Sequence, residues 1–177
     1  MFFVFFWCLF SSEIYVEDCL FYDSLTVDKQ RYTTIEGSPV LTYSSNGLNV
    51  NTSVTQVGLV RNNFLTLPSN YEAELTITLQ TASAGGGICF DDWLLDSGGS
   101  TYCSTYKLSN TTRLSQNIAK FKANDIVKIV KNGTSISYYL NGTLIVTNTI
   151  SDDTHYQHFR SYNGRTGTYK NLKVKPL

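Results

Sequence analysis

The stretch DIVKIVKNGTSISYYLNGTLI, residues 125–145, decides the fold class, because it contains three short apolar-polar segments separated by two Asn-Gly pairs. Asn-Gly is typical of a type I′ turn, in which both central residues need a positive φ. If the first turn is two residues long, Ile129 faces Ile136 on the side that also carries Tyr138. A second tight turn sets Tyr138 opposite Ile145. Apolar side chains then share one face, and we predict a three-stranded meander.

Similar alternation continues on both sides of this segment. In Tyr71–Leu79, apolar side chains alternate with Glu and Thr, which predicts a strand with one buried and one solvated face. Turn signals predict a hairpin around residues 44–47 and another that joins residues 88–93 to 101–108. Residues 157–162 and 169–174 flank a last turn. About ten or more antiparallel strands require two packed sheets, so we predict an all-β, two-sheet antiparallel jelly-roll β-sandwich.

The composition favours β-structure and argues against nucleic acid as a partner. The chain has 177 residues, enough for one domain, with 12 Tyr and 10 Phe beside many Thr, Ser, Asn and Gly. Aromatic and β-branched residues suit a pleated, half-buried surface, and Asn, Gly and Ser supply turns. Fourteen basic residues balance 14 acidic ones, without a basic stripe, so we expect no nucleic-acid ligand.

The chain opens with an apolar run, MFFVFFWCLF. This run is shorter than the roughly 20 residues of a transmembrane helix, so we expect no transmembrane span. Two interpretations stay open: the core of a secretory signal that lacks a basic start, or the cut end of a longer chain. We therefore predict that residues 1–12 are a hydrophobic leader or truncated end outside the fold, and that residues 13–177 form a single β-sandwich domain.

The four cysteines show no metal-ligand spacing. If the hairpin of residues 88–108 pairs Phe90 with Tyr102, it sets Cys89 opposite Cys103. That arrangement would allow a cross-strand disulfide between Cys89 and Cys103, with two reduced thiols as the alternative.

Three segments carry a family resemblance. They are the 125–145 meander, the opening Leu20-Phe-Tyr-Asp-Ser-Leu and the closing Phe159-Arg-Ser-Tyr with Tyr169-Lys-Asn-Leu-Lys-Val. Together they resemble the strand pattern of the concanavalin A-like lectin/glucanase and laminin G-like jelly-roll superfamily over roughly residues 20–177. The resemblance implies sugar binding, adhesion or a role as an appended module of a glycosidase. These functions are implied only by analogy of fold. Similar domains occur on microbial surfaces and phage tails.

The sequence offers little for catalysis. The glucanases of this superfamily carry their carboxylates in Glu-x-Asp-x-x-Glu, which this chain lacks. Glu72 and Glu74 share a strand face, but solvated outer-face side chains explain them better. The two histidines belong to no recognisable triad, and Gly85-Gly-Gly lacks the Lys-Ser/Thr of a phosphate loop. We therefore expect a protein that is not an enzyme.

The predicted outer faces carry the residues from which we build a binding site. Aromatic rings and planar polar groups at a surface are the side chains that bind sugars. We expect Asp91 and Trp93 to face outward in one strand and Tyr139 in the meander, while the closing strand presents His158, Arg160 and Tyr162. Ordinary cross-strand pairs are the alternative interpretation. Loop aspartates could bind a structural calcium ion, but they more often cap turns, so we assign no metal or other cofactor.

These features predict a non-catalytic, lectin-like carbohydrate-binding or adhesion module of an extracellular, cell-surface or virion protein. Its expected partner is a glycan or glycoconjugate, with a homo-oligomer or larger parent assembly left open. One alternative is a structural or assembly domain that binds another protein chain. The other is a polysaccharide-degrading enzyme of the same fold that uses Glu72 and Glu74.

Overall fold

A computed structural model describes residues 19–52, 57–79, 86–91, 93–97, 103–107, 112–115, 118–119, 121–150, 155–162 and 166–177. The predicted leader, residues 1–12, lies outside these ranges. The strands are β1 (Phe21–Asp23), β2 (Tyr32–Glu36), β3 (Val40–Ser44), β4 (Gly47–Asn51), β5 (Val57–Asn62), β6 (Tyr71–Leu79), β7 (Gly86–Phe90), β8 (Trp93–Ser97), β9 (Cys103–Lys107), β10 (Arg113–Ser115), β11 (Asp125–Asn132), β12 (Ser135–Leu140), β13 (Thr143–Thr149), β14 (Gln157–Tyr162) and β15 (Gly167–Pro176).

These strands form two antiparallel sheets, which confirms the predicted β-sandwich. The eight-stranded sheet has the order β13-β12-β11-β6-β15-β4-β3, with β1 paired to β15. The seven-stranded sheet has the order β10-β9-β8-β7-β14-β5-β2. Among the described residues, no helix is long and apolar enough to cross a membrane.

The core lies between the two sheets and is built by alternate residues of each strand. Ala73, Leu75 and Ile77 of β6 are buried, as the alternation predicts. From the other sheet, Phe159 of β14 stacks on Tyr169 of β15 with ring centroids 4.7 Å apart. Because strand side chains alternate with a period of two, each strand that contributes to this core also presents an outer face.

The meander exists, but its first register differs from the prediction. Asn132 pairs with Ser135, so the turn consists of Gly133 and Thr134. Only Gly133 has a positive φ, 56°, which fits a type II′ turn rather than type I′. The predicted pairing of Ile129 with Ile136 is therefore wrong, and Tyr138 is the partner of Ile129. The register is shifted by two residues, an even number, so the predicted buried face is retained.

The second turn confirms the Asn-Gly prediction, with φ of 49° at Asn141 and 81° at Gly142. A bulge then shifts the register between Tyr138 and Tyr139. Tyr138 consequently pairs with Val146, and the predicted pairing with Ile145 is wrong. A bulge inserts one extra residue into one strand, which no turn signal in the sequence announces.

The predicted hairpin of residues 88–108 is wrong, because the chain turns earlier. Phe90 pairs with Trp93 across a tight turn, and β8 therefore separates β7 from β9. Cys103 pairs with Ser97, whereas Cys89 is buried and pairs with His158 of β14. The predicted Cys89–Cys103 disulfide is excluded, since its two residues lie on strands that are not neighbours.

The last two strands also differ from the expected pairing. β14 belongs to the seven-stranded sheet and β15 to the eight-stranded one, so the chain crosses the sandwich between them. β14 lies between β7 and β5. This central position matters because β14 carries most of the candidate site.

Candidate functional site

The alternation along β14 sends one set of side chains into the core and the other to the outer face. Phe159 is fully buried in the core, as predicted. His158, Arg160 and Tyr162 therefore share the opposite face, and the structure brings these three predicted residues together. Tyr162 is 40% exposed, whereas His158 is only 7% exposed. The outer face of β14 thus combines one open aromatic ring with a covered imidazole.

Two residues that the sequence interpretation missed complete this surface. Tyr156, just before β14, is 43% exposed, and its ring meets that of His158 edge-on with centroids 6.1 Å apart. Arg61 of β5 pairs with His158 in register, and its guanidinium carbon lies 4.4 Å from the centre of the Tyr156 ring. We call this set the β14 outer patch: Arg61, Tyr156, His158, Arg160 and Tyr162.

The β14 outer patch repeats one arrangement at its two ends. The guanidinium carbon of Arg160 lies 5.3 Å from the centre of the Tyr162 ring, as Arg61 lies over Tyr156. Arginine is attracted to the face of an aromatic ring through the quadrupole of the ring. Each pair orders a flat apolar surface beside a group of hydrogen-bond donors.

Asp91 does not face outward, so its predicted placement is wrong. The residue follows β7 in a turn, with a φ of 56°, and is 1% exposed. Its carboxylate accepts hydrogen bonds from the Tyr71 hydroxyl (2.9 Å) and the His155 backbone amide (2.8 Å). The Asp91 amide donates to the Tyr156 carbonyl at 2.8 Å. Asp91 therefore holds the backbone that carries Tyr156, and it contributes position rather than a contact surface.

The other two predicted residues, Tyr139 and Trp93, do not belong to the described surface around β14. Tyr139 belongs to the eight-stranded sheet, on its outer face, where the ammonium of Lys128 lies 4.9 Å from the centre of the ring. It is thus on the opposite side of the sandwich from the β14 outer patch. Trp93 is placed only by its backbone pairing with Phe90 and Lys107, and its side chain lies outside the described part.

Several of the described carboxylates are engaged in structural contacts. Glu72 forms ion pairs with Lys128 (3.5 Å) and Lys175 (3.3 Å), and Glu74 forms one with Lys173 (3.9 Å). Two further buried carboxylates hold turns and loops. Asp23 bonds the Leu25 amide and pairs with Arg31 at 3.1 Å, and Asp125 bonds the Lys122 amide and the Asn141 side chain.

Catalytic and metal chemistry therefore receive no support from the described carboxylates. Retaining hydrolysis needs a carboxyl group that can take up and release a proton beside a second carboxylate. The Glu72 and Glu74 carboxylates instead face lysines. Within the described ranges, no group of three His, Cys, Asp or Glu side chains is arranged to hold a metal ion.

No protein-family model and no curated protein sequence matches this chain. Solved structures do match it. The carbohydrate binding module CBM66 from Bacillus subtilis is 15% identical, with a TM-score of 0.65 over 82% of this chain and 95% of the module. The exoplasmic/lumenal domain of VIP36, in a Ca²⁺/Man-bound form, is 11% identical, with a TM-score of 0.57 over 83% of each chain.

An enzyme shares the same architecture. The Crh5 transglycosylase, in complex with NAG, is 10% identical, with a TM-score of 0.66 over 88% of this chain and 83% of its own. The chain therefore shares an all-β sandwich fold with these proteins, which is consistent with the predicted resemblance to concanavalin A-like lectins. Because this fold carries both binding proteins and an enzyme, function has to be argued from the site.

Proposed function

We propose that this domain is a non-catalytic carbohydrate-binding module and that the β14 outer patch holds the glycan. The observation that carries the proposal is the pair of half-exposed tyrosines, Tyr156 and Tyr162, each beside an arginine on the outer face of the seven-stranded sheet. The flat face of an aromatic ring packs against the C–H groups of a pyranose, and the adjacent polar groups bind its hydroxyls.

The spacing of the two tyrosines favours an oligosaccharide over a single sugar. Tyr156 and Tyr162 are six positions apart, which corresponds to about 20 Å along an extended chain. That distance exceeds one pyranose ring, so each tyrosine would contact a different sugar of the same chain. His158 lies between them and is covered by Tyr156, which leaves Arg160 as the polar group in the middle.

The proposal extends to the setting of the domain. A glycan-binding module meets its ligands on cell surfaces and in secreted material, so we place this domain outside the cell, on a cell surface, on a virion or in a larger secreted protein. Adhesion to a glycosylated surface would be its role there. The lectin and carbohydrate-binding neighbours support the coarse function, and the patch supports the location of the site.

A glycan array, followed by calorimetry on the glycans that bind, tests the proposal. We expect the wild-type domain to bind oligosaccharides and Tyr162→Ala to lose that binding while it keeps its melting temperature. Tyr139→Ala is the matched control, because Tyr139 also carries a cation on its ring but lies on the other sheet. If no glycan binds, or if Tyr162→Ala binds as the wild type does, the proposal is wrong. Light scattering with Tyr162→Ala checks the alternative that the patch joins copies of the chain.

A further inference from the structure

The two arginines of the β14 outer patch have no negative partner in the described structure. The guanidinium groups of Arg61 and Arg160 each lie against a tyrosine ring, and neither guanidinium forms an ion pair or a hydrogen bond with a described group. The Nε of Arg160 is cut off from solvent and has no acceptor among the described groups. Glu36 of β2 and Arg160 of β14 are both register partners of Leu59, one on each side of β5. Glu36 nevertheless forms no ion pair with Arg160 or with Arg61.

Several cations elsewhere on the sandwich lie beside a carboxylate. Arg31 pairs with Asp23 at 3.1 Å, and Lys128 and Lys175 both pair with Glu72. These contacts show that this chain places carboxylates beside cations where they serve the fold. The guanidinium groups of Arg61 and Arg160 have ring contacts but no described carboxylate partner, and they lie on the face that we propose binds a ligand. A negative group of the ligand would supply the missing partner.

We infer that the β14 outer patch selects acidic glycans, those whose sugars carry carboxylate or sulfate groups. The inference rests on the proposed glycan-binding function and names its ligand class. A guanidinium presents a planar fork of N–H donors that matches the two oxygens of a carboxylate or sulfate, and such charge-assisted bonds are about twice as strong as neutral ones.

The register shows how two acidic groups would be spaced. Arg61 pairs with His158, so Arg61 and Arg160 are diagonal neighbours on adjacent strands, a position in which residues lie roughly 7–8 Å apart. Their side chains then turn toward different tyrosines, one at each end of the β14 outer patch. Each arginine–tyrosine pair is a half-site, with a ring for the C–H face of a sugar and a guanidinium for its acidic substituent.

This arrangement fits a polymer with repeated acidic sugars better than a glycan with one terminal acid. One chain can then occupy both half-sites, and the second contact forms without a further loss of translational freedom. Because the Nε of Arg160 is covered, an acidic group would bond to the terminal nitrogens of that residue.

Matched pairs of ligands test the inference by calorimetry. A carboxylate arm compares oligogalacturonate with its methyl ester, and a sulfate arm compares chondroitin sulfate with desulfated chondroitin. We expect the wild-type domain to bind at least one acidic member more tightly than its neutral partner, and added NaCl to weaken that binding because salt screens charges. Arg61→Gln and Arg160→Gln should each weaken it by at least about tenfold. Lys128→Gln, on the opposite sheet, is the matched control and should bind as the wild type does.

The outcomes separate this inference from the proposed function. Preference for neutral glycans, lost in Tyr162→Ala, overturns the acidic-ligand inference and leaves glycan binding intact. Absence of binding to every glycan overturns both. Acidic binding that survives Arg61→Gln and Arg160→Gln overturns the inference, because the negative group would then be held elsewhere. Melting curves of each variant confirm that loss of binding is not loss of fold.

Discussion

The two outer faces of this sandwich differ in the partners of their charged side chains. On the eight-stranded sheet, Glu72 and Glu74 pair with lysines of the neighbouring strands β11 and β15. On the seven-stranded sheet, Arg61 and Arg160 pair with tyrosine rings and with no described carboxylate. The lysines of the eight-stranded sheet already have carboxylate partners. The two arginines beside the half-exposed rings lack a described carboxylate partner, although an ion pair would be their strongest interaction. The comparison indicates that one face serves the fold and the other serves a ligand.

Tyr139 and Tyr162 make the same comparison with single residues. Both tyrosines have a cation near the ring, at 4.9 Å and 5.3 Å. The Lys128 beside Tyr139 also pairs with Glu72, so its charge is already balanced. The Arg160 beside Tyr162 has no such second partner in the described structure. An exposed aromatic ring beside a cation is therefore not in itself a binding site. We assign a site only where that cation has no described carboxylate partner.

The largest expected effect concerns the side of β14 that faces the core. Phe159→Ala removes a fully buried ring that stacks on Tyr169 across the two sheets, and large-to-small substitutions of this kind cost about 3–5 kcal/mol. Arg160→Gln, one residue further along, should change the free energy of unfolding little. Urea denaturation of both variants measures the difference. Equal destabilisation by the two substitutions would show that the outer face of β14 also supports the fold.

The next effect concerns binding. Tyr156→Ala and Tyr162→Ala should each reduce glycan affinity by roughly ten- to thirtyfold, because a central aromatic contact in a binding site contributes about 2 kcal/mol. The melting temperatures should stay near that of the wild type, since both rings are half-exposed. Calorimetric titration with the best glycan from the array gives the affinities. A loss confined to one tyrosine would restrict the site to one half of the β14 outer patch.

A smaller effect distinguishes the two tyrosines that are neighbours on β12. Tyr138 is fully buried, and burial raises the pKa of its hydroxyl. That hydroxyl has no hydrogen-bond partner in the described part of the chain. Tyr138→Phe removes the unsatisfied group and should stabilise the fold by up to about 1 kcal/mol. Tyr139→Phe should leave stability unchanged. Thermal denaturation of the two variants checks this, and a destabilised Tyr138→Phe would reveal a partner for the hydroxyl.

The buried hydroxyl of Tyr138 also predicts that the free energy of unfolding depends on pH in the alkaline range. The pKa of Tyr138 is raised in the folded state, and burial raises the pKa of Tyr43 to about 12. A group whose folded pKa is raised contributes its stability in full below the unfolded pKa, near 10, and loses it as the pH rises further. The free energy of unfolding should therefore fall above pH 10, and less steeply in Tyr138→Phe. Denaturation at pH 9, 10 and 11 provides the test.

The smallest effect concerns the charge ladder of the eight-stranded sheet. Glu72→Gln breaks the contacts with Lys128 and Lys175, and half-exposed ion pairs are worth about 0.2–1 kcal/mol. The destabilisation should decrease in 1 M NaCl, because salt screens exposed charges at that concentration to about 3 Å. Glycan affinity should not change. A lower affinity would mean that this face takes part in binding and would weaken the comparison.

The sequence predicted the architecture better than the pairing. Alternation in β6, the Asn-Gly turn at residues 141–142 and the outer-face positions of His158, Arg160 and Tyr162 all followed from local periodicity. The crossing of β14 and β15 between the sheets did not, because the turn residues between two strands do not reveal whether those strands pair. The β7–β8 turn was missed because Asp96-Ser-Gly-Gly looked like the stronger turn signal, while Asp91 supplies the positive φ that is needed.

The site was predicted only in part, for similar reasons. Arg61 belongs to β5, and its place beside His158 depends on the pairing of strands almost 100 residues apart, which a single sequence does not contain. Tyr156 precedes its strand and is held there by Asp91, so alternation within β14 would find it only if the period were extended by one step. Tyr139 was grouped with the β14 residues because outer faces look alike in sequence, although they lie on opposite sheets.

Hydroxyl-radical footprinting with and without bound glycan tests most directly which side of the sandwich meets a partner. Tyr156, Tyr162 and Tyr139 are partly accessible, so the oxidation of each can be followed by mass spectrometry in one sample. The account predicts that a saturating glycan slows the oxidation of Tyr156 and Tyr162 and leaves that of Tyr139 unchanged. Protection of Tyr139, with Tyr156 and Tyr162 still oxidised at the rate of the free domain, would contradict it.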